Sequence, residues 1–235
     1  FSLSRGLGDV YKRQGKPSLE IEDAKFSKDF SIYPTDFHGV FPKLLVKQND
    51  LVKSGDALFF DKNSEKVKFV SPVSGKIKEI VRGERRKVLE IKIEADKNIS
   101  YKKITKLKSE EPKHIIDFLL ENGLWPFFKQ RPYDVIADPN SNPKEIFVSG
   151  FDSSPLSADY DFITKDDKQT ISKAITILSK LTNGSINISL RKESDSFLRG
   201  LSDVVIHNVS GPHPSGNLST IINKVSPISK GDVIW

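Results

Sequence analysis

Apolar residues follow two different periods along the chain. Between Ile32 and Ile93 they come in short runs, rich in β-branched side chains, that alternate with polar residues and are separated by Gly, Pro, Asn and Asp. The runs are 44–46, 58–60, 67–70, 76–81 and 88–93. Alternation with a period of two is typical of half-buried strands, and the separating residues favour tight turns. This part of the chain is therefore predicted to be an all-β unit.

The period becomes helical after residue 108. Ser109 precedes the segment 112–121, in which apolar residues recur at intervals of four, and Asn122-Gly123 follows it. Ser is a favourable helix N-cap, and Gly after the last turn is a common helix stop. The pattern predicts a helix over 112–121 that is capped by Ser109 and connects two domains.

Strands and helices alternate through the rest of the chain. The predicted order is a strand at 145–149, a helix over 165–181 capped by Thr164, a strand at 185–190, a shorter helix at 194–201 and a strand at 203–209. Strands that are joined by helices run parallel, so this order predicts a parallel sheet with right-handed crossovers. The fold class is thus a two-domain α+β or α/β protein with a Rossmann-like second domain.

The change of period divides the chain into three predicted parts. Residues 1–14 form a leader that matches neither domain and is expected to add little to stability, 15–108 form the β domain, and 109–235 form the α/β domain. The chain begins with Phe1, contains no Met and stops in an apolar run at Trp235. We therefore interpret it as a fragment whose second domain is truncated at the C-terminus.

Composition narrows the chemistry that the chain can carry. It has no Cys, which excludes disulfides, thiolate nucleophiles and Cys-ligated zinc or iron–sulfur sites within these residues. The net charge of +6 is compatible with nucleic-acid binding. Between Lys62 and Lys108, however, the lysines alternate with apolar residues and few aromatics lie among them, which favours the outer face of a sheet. No nucleic-acid partner is predicted. No apolar run approaches the ~18 residues that cross a bilayer.

Two turns of the β domain carry a more specific signal. The stretch 46–58 resembles the V-K-x-G-D-x-V-x-x-G-x-x-L region of biotinyl and lipoyl domains, and 71–75 resembles their S-P-x-x-G turn. Asn49 and Gly55 can adopt the left-handed backbone that such turns require, and Pro72 restricts the second turn. The fold predicted for 15–108 is a barrel-sandwich hybrid.

A lysine in such a fold can carry a swinging arm. Biotinyl and lipoyl domains attach the arm at a hairpin tip, and Asp61-Lys62 lies between the two turns. Lys62 lies farther from Ser71 than the modified lysine of lipoyl domains lies from the corresponding turn. The preferred interpretation is a structural barrel without a covalently bound cofactor. The alternative is a lipoyl- or biotinyl-type carrier domain fused to an α/β module.

The candidate site lies where the parallel strands end. Ligands and partners of open parallel sheets meet the carboxyl ends of the strands, here 149–152, 191–192 and 210–216. The first end lacks the Gly-x-Gly-x-x-Gly spacing that lets a backbone approach a pyrophosphate, so a bound dinucleotide is not expected. The four His show no metal-ligand spacing, and no pair of carboxylates stands out as general acid and base. No catalytic residue and no metal ligand is therefore predicted.

Three groups of motifs, taken in their order and spacing, resemble one family. They are Asn122-Gly123-Leu124-Trp125 with Gln130-Arg131-Pro132, then Ile146-Phe147-Val148-Ser149-Gly150-Phe151-Asp152-Ser153-Ser154-Pro155-Leu156 with Ala158-Asp159, and then Gly211-Pro212-His213-Pro214-Ser215-Gly216. From residue 15 to 235 the chain is similar to the N-terminal half of the NqrA family, a subunit family of the Na+-translocating NADH:quinone reductases.

The resemblance implies a subunit of a bacterial inner-membrane complex that oxidises NADH, reduces ubiquinone and exports Na+. NqrA is peripheral in that complex, faces the cytoplasm and has been associated with quinone binding, while the flavins, the iron–sulfur cluster and NADH belong to other subunits. The implied partners are those subunits and ubiquinone, with membrane contact only through partner subunits. The chain is then part of an enzyme and is not expected to be catalytic alone.

The loop after the last predicted strand is the candidate contact with quinone or with a partner subunit. With Arg131 predicted to lie near it, the candidate residues are Gly211, Pro212, His213, Pro214, Gly216 and Arg131. Two prolines restrict the backbone, and the glycines allow close approach. His213 and Arg131 can donate hydrogen bonds to a quinone oxygen or to a carboxylate. A purely structural turn is the alternative.

Overall fold

The computed structural model describes residues 17–104 and 106–235, so the predicted leader 1–14 lies outside the described residues. The described residues form two compact units. The first, called the barrel unit below, is Asp23–Ser141. The second, the α/β unit, consists of Asn142–Trp235 together with residues 17–22.

Two antiparallel sheets form the main part of the barrel unit. Their strands are β1 (Asp29–Ile32), β2 (Pro42–Leu44), β3 (Leu51–Val52), β4 (Ala57–Asp61), β5 (Ser64–Val70), β6 (Gly75–Arg82) and β7 (Val88–Ala95). The strand order is β1-β7-β6-β3 in one sheet and β2-β4-β5 in the other. Short 3-10 helices lie at Pro34–Asp36 and Glu84–Arg86. The all-β prediction for this region is confirmed.

Aromatic side chains form the centre of the barrel unit. The rings of Phe59 and Phe69 stack with their centroids 4.4 Å apart, and Phe37 meets Phe69 edge-on at 4.5 Å. Lysines on the same sheets point outward, as Lys78 does where it pairs with Asp29 at 2.7 Å. The alternation that predicts the strands thus separates a buried apolar layer from a charged outer face.

Two turns of matching design lie before and after β3. In each turn an Asp carboxylate accepts a hydrogen bond from the backbone N–H of the Lys three residues earlier. Asp50 accepts from Lys47 and Asp56 accepts from Lys53, both at 2.7 Å. The residues just before the two Asp, Asn49 and Gly55, have φ of 74° and 94°. The predicted left-handed turn residues are therefore confirmed.

Helix α1 (Pro112–Glu121) has the predicted bounds and packs on the barrel unit. Gly123 follows the helix with φ of 69°, and a Cβ added to it would lie 2.3 Å from Cγ1 of Val70 on β5. Trp125, in a 3-10 helix at Trp125–Phe127, is buried and donates from Nε1 to the carbonyl oxygen of Ala137 at 2.7 Å. The helix and the aromatic segment therefore share the core of the barrel unit.

This packing decides where the compact units divide. Strands β8 (Lys129–Gln130) and β9 (Val135–Ile136) form a small hairpin that also belongs to the barrel unit. The units divide after Ser141, whereas the change of period predicts a boundary near residue 109. A change of period marks where a helix begins, but it does not tell which core the helix packs against.

The α/β unit has a parallel sheet, as predicted. Its strands are β10 (Ile146–Ser149), β11 (Ile186–Arg191) and β12 (Val204–Val209), and its helices are α2 (Tyr160–Ile163), α3 (Lys168–Ser179) and α4 (Leu218–Val225), with a 3-10 helix at Phe197–Gly200. The strand order is β10-β11-β12, and both pairings are parallel. Among the helices of the described ranges, none is long and apolar enough to cross a membrane.

Residues 233–235 extend this sheet on the far side of β10. Glu145 forms a parallel bridge with Ile234, and the N–H of Phe147 donates to the carbonyl oxygen of Trp235 at 2.8 Å. Numbered along the chain, the strands therefore lie in the order 3-2-1-4. This is the order at the centre of doubly wound dinucleotide-binding sheets, where the direction of winding reverses between strands 1 and 4.

Two predicted helix caps are wrong. The N-cap of α1 is Glu111, and the Ser109 hydroxyl instead lies 2.7 Å from Nδ1 of His114. Thr164 ends the short helix α2, where its hydroxyl donates to the carbonyl oxygen of Tyr160 at 2.7 Å, and α3 begins after Asp167. In both cases the hydroxyl that the pattern assigned to the cap is used by another local contact.

We predict that Gly75→Ala destabilises the protein. The φ of Gly75 is 156°, and a Cβ added to it would lie 2.1 Å from the carbonyl oxygen of Glu94 on β7. Relief of this contact requires a shift of strand backbone, so we expect the free energy of unfolding to fall by at least about 2 kcal/mol. Denaturant titration followed by circular dichroism measures the change.

Gly200→Ala is the matched control, because no described atom lies within 4 Å of a Cβ added to Gly200 and its φ is not in the left-handed region. Its free energy of unfolding should stay within about 0.5 kcal/mol of the wild-type value. Equal losses in the two variants would contradict the steric explanation.

Candidate functional site

The loop 211–216 runs from the end of β12 into α4. Helix α4 packs Ile221 and Ile222 against Phe147 of β10. Because β10 lies between β11 and residues 233–235, its carboxyl end is the point where the strand order reverses. Open α/β sheets bind ligands at this point. The path of the chain from β12 to α4 therefore brings the candidate loop to the expected edge of the sheet.

Ser153, in the loop after β10, joins the two loops. Its Oγ lies 3.1 Å from Nδ1 of His213 and accepts a hydrogen bond of 2.9 Å from the N–H of Gly216. A Cβ added to Gly216 would lie 2.9 Å from the backbone nitrogen of Ser153. Within the candidate loop, the Ser215 hydroxyl donates to the carbonyl oxygen of Gly211 at 3.0 Å. The loop is thus bonded both internally and to its neighbour.

The contacts of Ser153 favour one tautomer of His213. The hydroxyl accepts from Gly216, so its own hydrogen is available for Nδ1 of the imidazole. All of these groups are satisfied when the proton of neutral His213 is on Nε2. The side chain is exposed, and so are the flanking Pro212 and Pro214. This arrangement leaves the Nε2–H of His213 as a hydrogen-bond donor for a bound group.

Asp152 gives this edge a negative charge. Its Oδ1 accepts a hydrogen bond of 2.8 Å from the N–H of Ser154 and one of 2.7 Å from the Ser154 hydroxyl. These bonds, together with the positive charge of protonated His213, hold the pKa of the Asp152 carboxyl below its usual value, against the opposing effect of burial. The carboxylate therefore acts as an acceptor near His213 at neutral pH.

Arg191 places a cation at the same edge. It is the last residue of β11, and its guanidinium carbon lies 5.4 Å from the ring centroid of Phe151 in the loop after β10. Gly150 allows that loop to pass close to β11, because a Cβ added to Gly150 would lie 2.4 Å from Cδ2 of Leu190. The edge thus combines a cation, an aromatic ring, a carboxylate and an imidazole.

The sequence predicts the position of this edge but not all of its contacts. The predicted strand ends contain Asp152 and Arg191, although neither was assigned to the site, and Ser153 had no predicted role. The usable signal was the parallel strand order, because the carboxyl ends of parallel strands meet at one edge. The direct contact between Ser153 and His213 carries no local sequence signal.

Arg131 lies in the barrel unit, whereas the candidate loop lies in the α/β unit. Its guanidinium pairs with the carboxylate of Asp134 at 3.4 Å. The predicted proximity of Arg131 to the candidate loop stays a prediction.

Lys62 lies at the tip of the hairpin formed by β4 and β5. It is exposed and, with Asn63, forms the turn between the paired residues Asp61 and Ser64. The Asp61 carboxylate accepts from the N–H of Asn63 and from the N–H of Phe41, both at 3.1 Å. A fixed, exposed hairpin tip is the position that a carrier lysine needs.

His207 lies within β12 and is held by its neighbours in the sheet. Its Nε2 lies 2.8 Å from Oδ1 of Asn187 on β11, and its ring stacks on Phe147 with the centroids 6.3 Å apart. Burial lowers the pKa of His207, and the negative charge of Glu145 opposes this effect. These contacts indicate a structural side chain. In residues 17–104 and 106–235, no group of three or more His, Asp or Glu could hold a metal ion.

Comparisons with known proteins agree with this architecture. Residues 1–96 match the sequence model of the NqrA N-terminal barrel-sandwich hybrid domain, and residues 110–235 match that of the NqrA second alpha/beta domain. The predicted fold class is therefore confirmed. The first match includes residues 1–14, which were predicted to be a leader outside both domains.

Three curated relatives each carry the name of the NqrA subunit of a Na(+)-translocating NADH-quinone reductase. The protein from Marinomonas sp. (strain MWYL1) is 35% identical over 239 residues, covering 100% of this chain and 53% of the relative. Those from Yersinia pseudotuberculosis serotype O:1b (strain IP 31758) and Saccharophagus degradans (strain 2-40 / ATCC 43961 / DSM 17024) are 33% and 32% identical, each covering 94% of this chain and 50% of the relative. The chain spans about half the length of the curated relatives it matches.

We predict that His207 makes stability depend on pH. Its pKa in the folded state is below the ordinary value of 6.5, so the unfolded chain binds the proton more readily. The stability that neutral His207 contributes is present above pH 6.5 and declines as the pH falls toward its folded pKa. The melting-temperature advantage of the wild type over His207→Gln should therefore shrink between about pH 7.5 and about pH 5.5. Calorimetry across this range measures it.

Val205→Thr is the control, because it alters the same strand without changing a titrating group. Its difference from the wild type should not change with pH. If both variants gave parallel pH profiles, His207 would not be the titrating group.

Proposed function

Because the chain belongs to the NqrA family, we propose that it acts within a Na+-translocating NADH-quinone reductase, as the NqrA subunit of that complex. The complex oxidises NADH, reduces ubiquinone and exports Na+. The part of the work assigned to this chain is docking to other subunits and contact with quinone. We place it on the cytoplasmic side of the bacterial inner membrane, as a peripheral subunit.

The absence of Cys supports this division of labour. A cysteine-ligated iron–sulfur cluster cannot be held by these residues, so such a cluster would belong to another subunit. The loop after β10 also lacks the glycine spacing with which a parallel sheet receives a pyrophosphate. We therefore assign the flavins, the iron–sulfur cluster and NADH to partner subunits.

The observation that carries the quinone contact is the Ser153 junction. Ser153 bonds both His213 and the N–H of Gly216, so the donor on His213 is held before any ligand arrives. A donor that is already ordered loses little conformational entropy on binding. A quinone oxygen gains negative charge as the quinone is reduced, and a hydrogen bond from Nε2–H strengthens as it does so. His213 is thus proposed to bind and orient a quinone oxygen.

We predict that His213→Ala weakens the use of quinone by the assembled reductase. The loss of one hydrogen bond of about 1 kcal/mol should raise KM for ubiquinone about five-fold. Complex assembly is followed separately by native gel, and quinone reduction by ubiquinol formation. His114→Ala is the matched control, because His114 is partly exposed and lies on α1 of the barrel unit.

Normal assembly and an unchanged KM in a folded His213→Ala variant would remove His213 from the quinone contact. Failed assembly with normal folding would instead assign the loop to an interface with another subunit. The control should change neither quantity.

A carrier domain is a second candidate function, favoured by the exposed position of Lys62 at its hairpin tip. An amide-linked lipoyl or biotinyl group on Lys62 would define it. We expect natively expressed protein to show the unmodified mass by intact mass spectrometry. Lys66, exposed on β5, is the internal control for unspecific acylation. An adduct on Lys62 and not on Lys66 would establish the carrier function.

A further inference from the structure

The turn between β6 and β7 holds two arginines in an unfavourable backbone conformation. Arg85 has φ of 53° and ψ of 28°, and Arg86 has φ of 63°. The N–H of Lys87 donates to the carbonyl oxygen of Glu84 at 3.1 Å, which closes a four-residue turn. A turn with both central residues at positive φ is a type I′ hairpin turn, for which Asn-Gly is the favoured pair.

The two arginines therefore stand where side chains other than Asn, Asp and Gly are strained. Strain in the backbone is a reason to look for a role of the side chains that cause it. Arg82 supports the turn by donating from Nη1 to the carbonyl oxygen of Arg86 at 3.2 Å. Arg82, Arg85, Arg86 and Lys87 are all exposed. Across the part of the chain that the structure describes, none of these four side chains takes part in an ion pair.

A second hairpin tip lies at the same end of the barrel unit. Pro42 begins β2 opposite Asp61, the last residue of β4. Pro42 and Lys87 also line one shallow cavity, so the tip of β4 and β5 adjoins the tip of β6 and β7. The N–H of Lys62 donates to the carbonyl oxygen of Phe41 at 2.8 Å, which fixes the tip against this end.

We call this surface the basic end. Its members are Phe41, Lys62, Arg82, Arg85, Arg86 and Lys87. Glu84 is the carboxylate within the arginine turn, while the Asp61 carboxylate is engaged by backbone N–H groups. Phe41 is 61% exposed, so an aromatic ring accompanies the five cations. The surface is strongly positive and carries one exposed apolar group.

We propose that the basic end contacts the anionic headgroups of a lipid bilayer. Long cationic side chains that project from two adjacent hairpin tips can reach several phosphates of a plane at once, and each adds to the attraction. An aromatic ring at the level of the headgroups fits an interface between water and lipid. The resemblance implied membrane contact only through partner subunits, whereas the basic end supplies a direct contact of the chain itself.

A nucleic acid is the other polyanion that such a surface could meet. A platform for single strands needs aromatic rings on which successive bases stack. At the basic end Phe41 stands alone among the cations, and the two arginines of the turn have no aromatic neighbour in sequence. Lipid headgroups are therefore the better match.

The test exchanges the strained pair for the pair that the turn favours. The full 235-residue chain and its Arg85→Asn, Arg86→Gly variant are sedimented with vesicles of phosphatidylcholine and phosphatidylglycerol in equal parts. Loss of two cations that contact the surface should weaken binding about thirty-fold at low salt. The melting temperature of the variant should be equal to or higher than that of the wild type, because Asn-Gly fits the turn without strain.

The control removes two cations from the opposite end of the barrel unit. Lys97 and Lys103 are exposed there, beyond the pairing of Ala95 with Gly75. Lys97→Asn, Lys103→Asn changes the net charge by the same amount and should leave vesicle binding nearly unchanged, since salt screens distant charges. Vesicles of phosphatidylcholine alone should not bind the wild type.

Equal loss in the two double variants would overturn the proposal, because net charge and not the basic end would then govern binding. Binding to phosphatidylcholine alone would overturn it as well. Tighter binding of a single-stranded oligonucleotide than of vesicles, lost in the arginine variant, would assign the surface to nucleic acid instead. A lower melting temperature of the Asn-Gly variant would remove the argument from strain on which the proposal rests.

Discussion

Two aspartate-capped turns fix the course of the barrel unit. Asp50 and Asp56 each take up the backbone N–H of a Lys three residues earlier, at the same distance of 2.7 Å. Each turn then pairs its backbone with another segment. The N–H of Gly55 donates to the carbonyl oxygen of Ser71 at 2.8 Å, and the N–H of Ser71 donates to that of Asp56 at 2.8 Å. Backbone groups that a sharp reversal would leave unpaired are thereby satisfied.

The dependence extends to both sheets. The first turn repeats this exchange with β6, since the N–H of Asn49 donates to the carbonyl oxygen of Ile77 and the N–H of Ile77 donates to that of Asp50. The stretch 47–56 is thus bonded to β6 and to the turn before it. Because β4 and β6 belong to different sheets, these bonds hold the two sheets at the spacing in which the rings of Phe59 and Phe69 stack.

Features with a local cause could be predicted from the sequence. The strands of the barrel unit follow from alternation, and the bounds of α1 follow from Pro112 and Gly123, each of which acts on its own backbone. The caps at Ser109 and Thr164 failed because a hydroxyl caps a helix only if the chain before it is extended there. The division of the compact units failed for a different reason. It depends on Gly123 meeting Val70, and no local pattern encodes that contact. The same distinction applies to the candidate edge, whose location follows from the parallel strand order, whereas its internal contacts join residues that are 60 positions apart, as Ser153 and His213 are. Residues 233–235 are too short a strand for periodicity to reveal, yet they make β10 the reversal point of the sheet.

Glycines at this edge serve a different purpose from those of a dinucleotide site. A pyrophosphate site uses the missing Cβ to bring backbone against the ligand. Here Leu190 occupies the space beside Gly150, at 2.4 Å from the position of an added Cβ, and Ser153 occupies the space beside Gly216 at 2.9 Å. The close approach is therefore used to lock two loops together. A sheet of dinucleotide-binding order can in this way present a fixed imidazole on His213 to a partner or a quinone, while the place of the phosphates is filled by its own side chains.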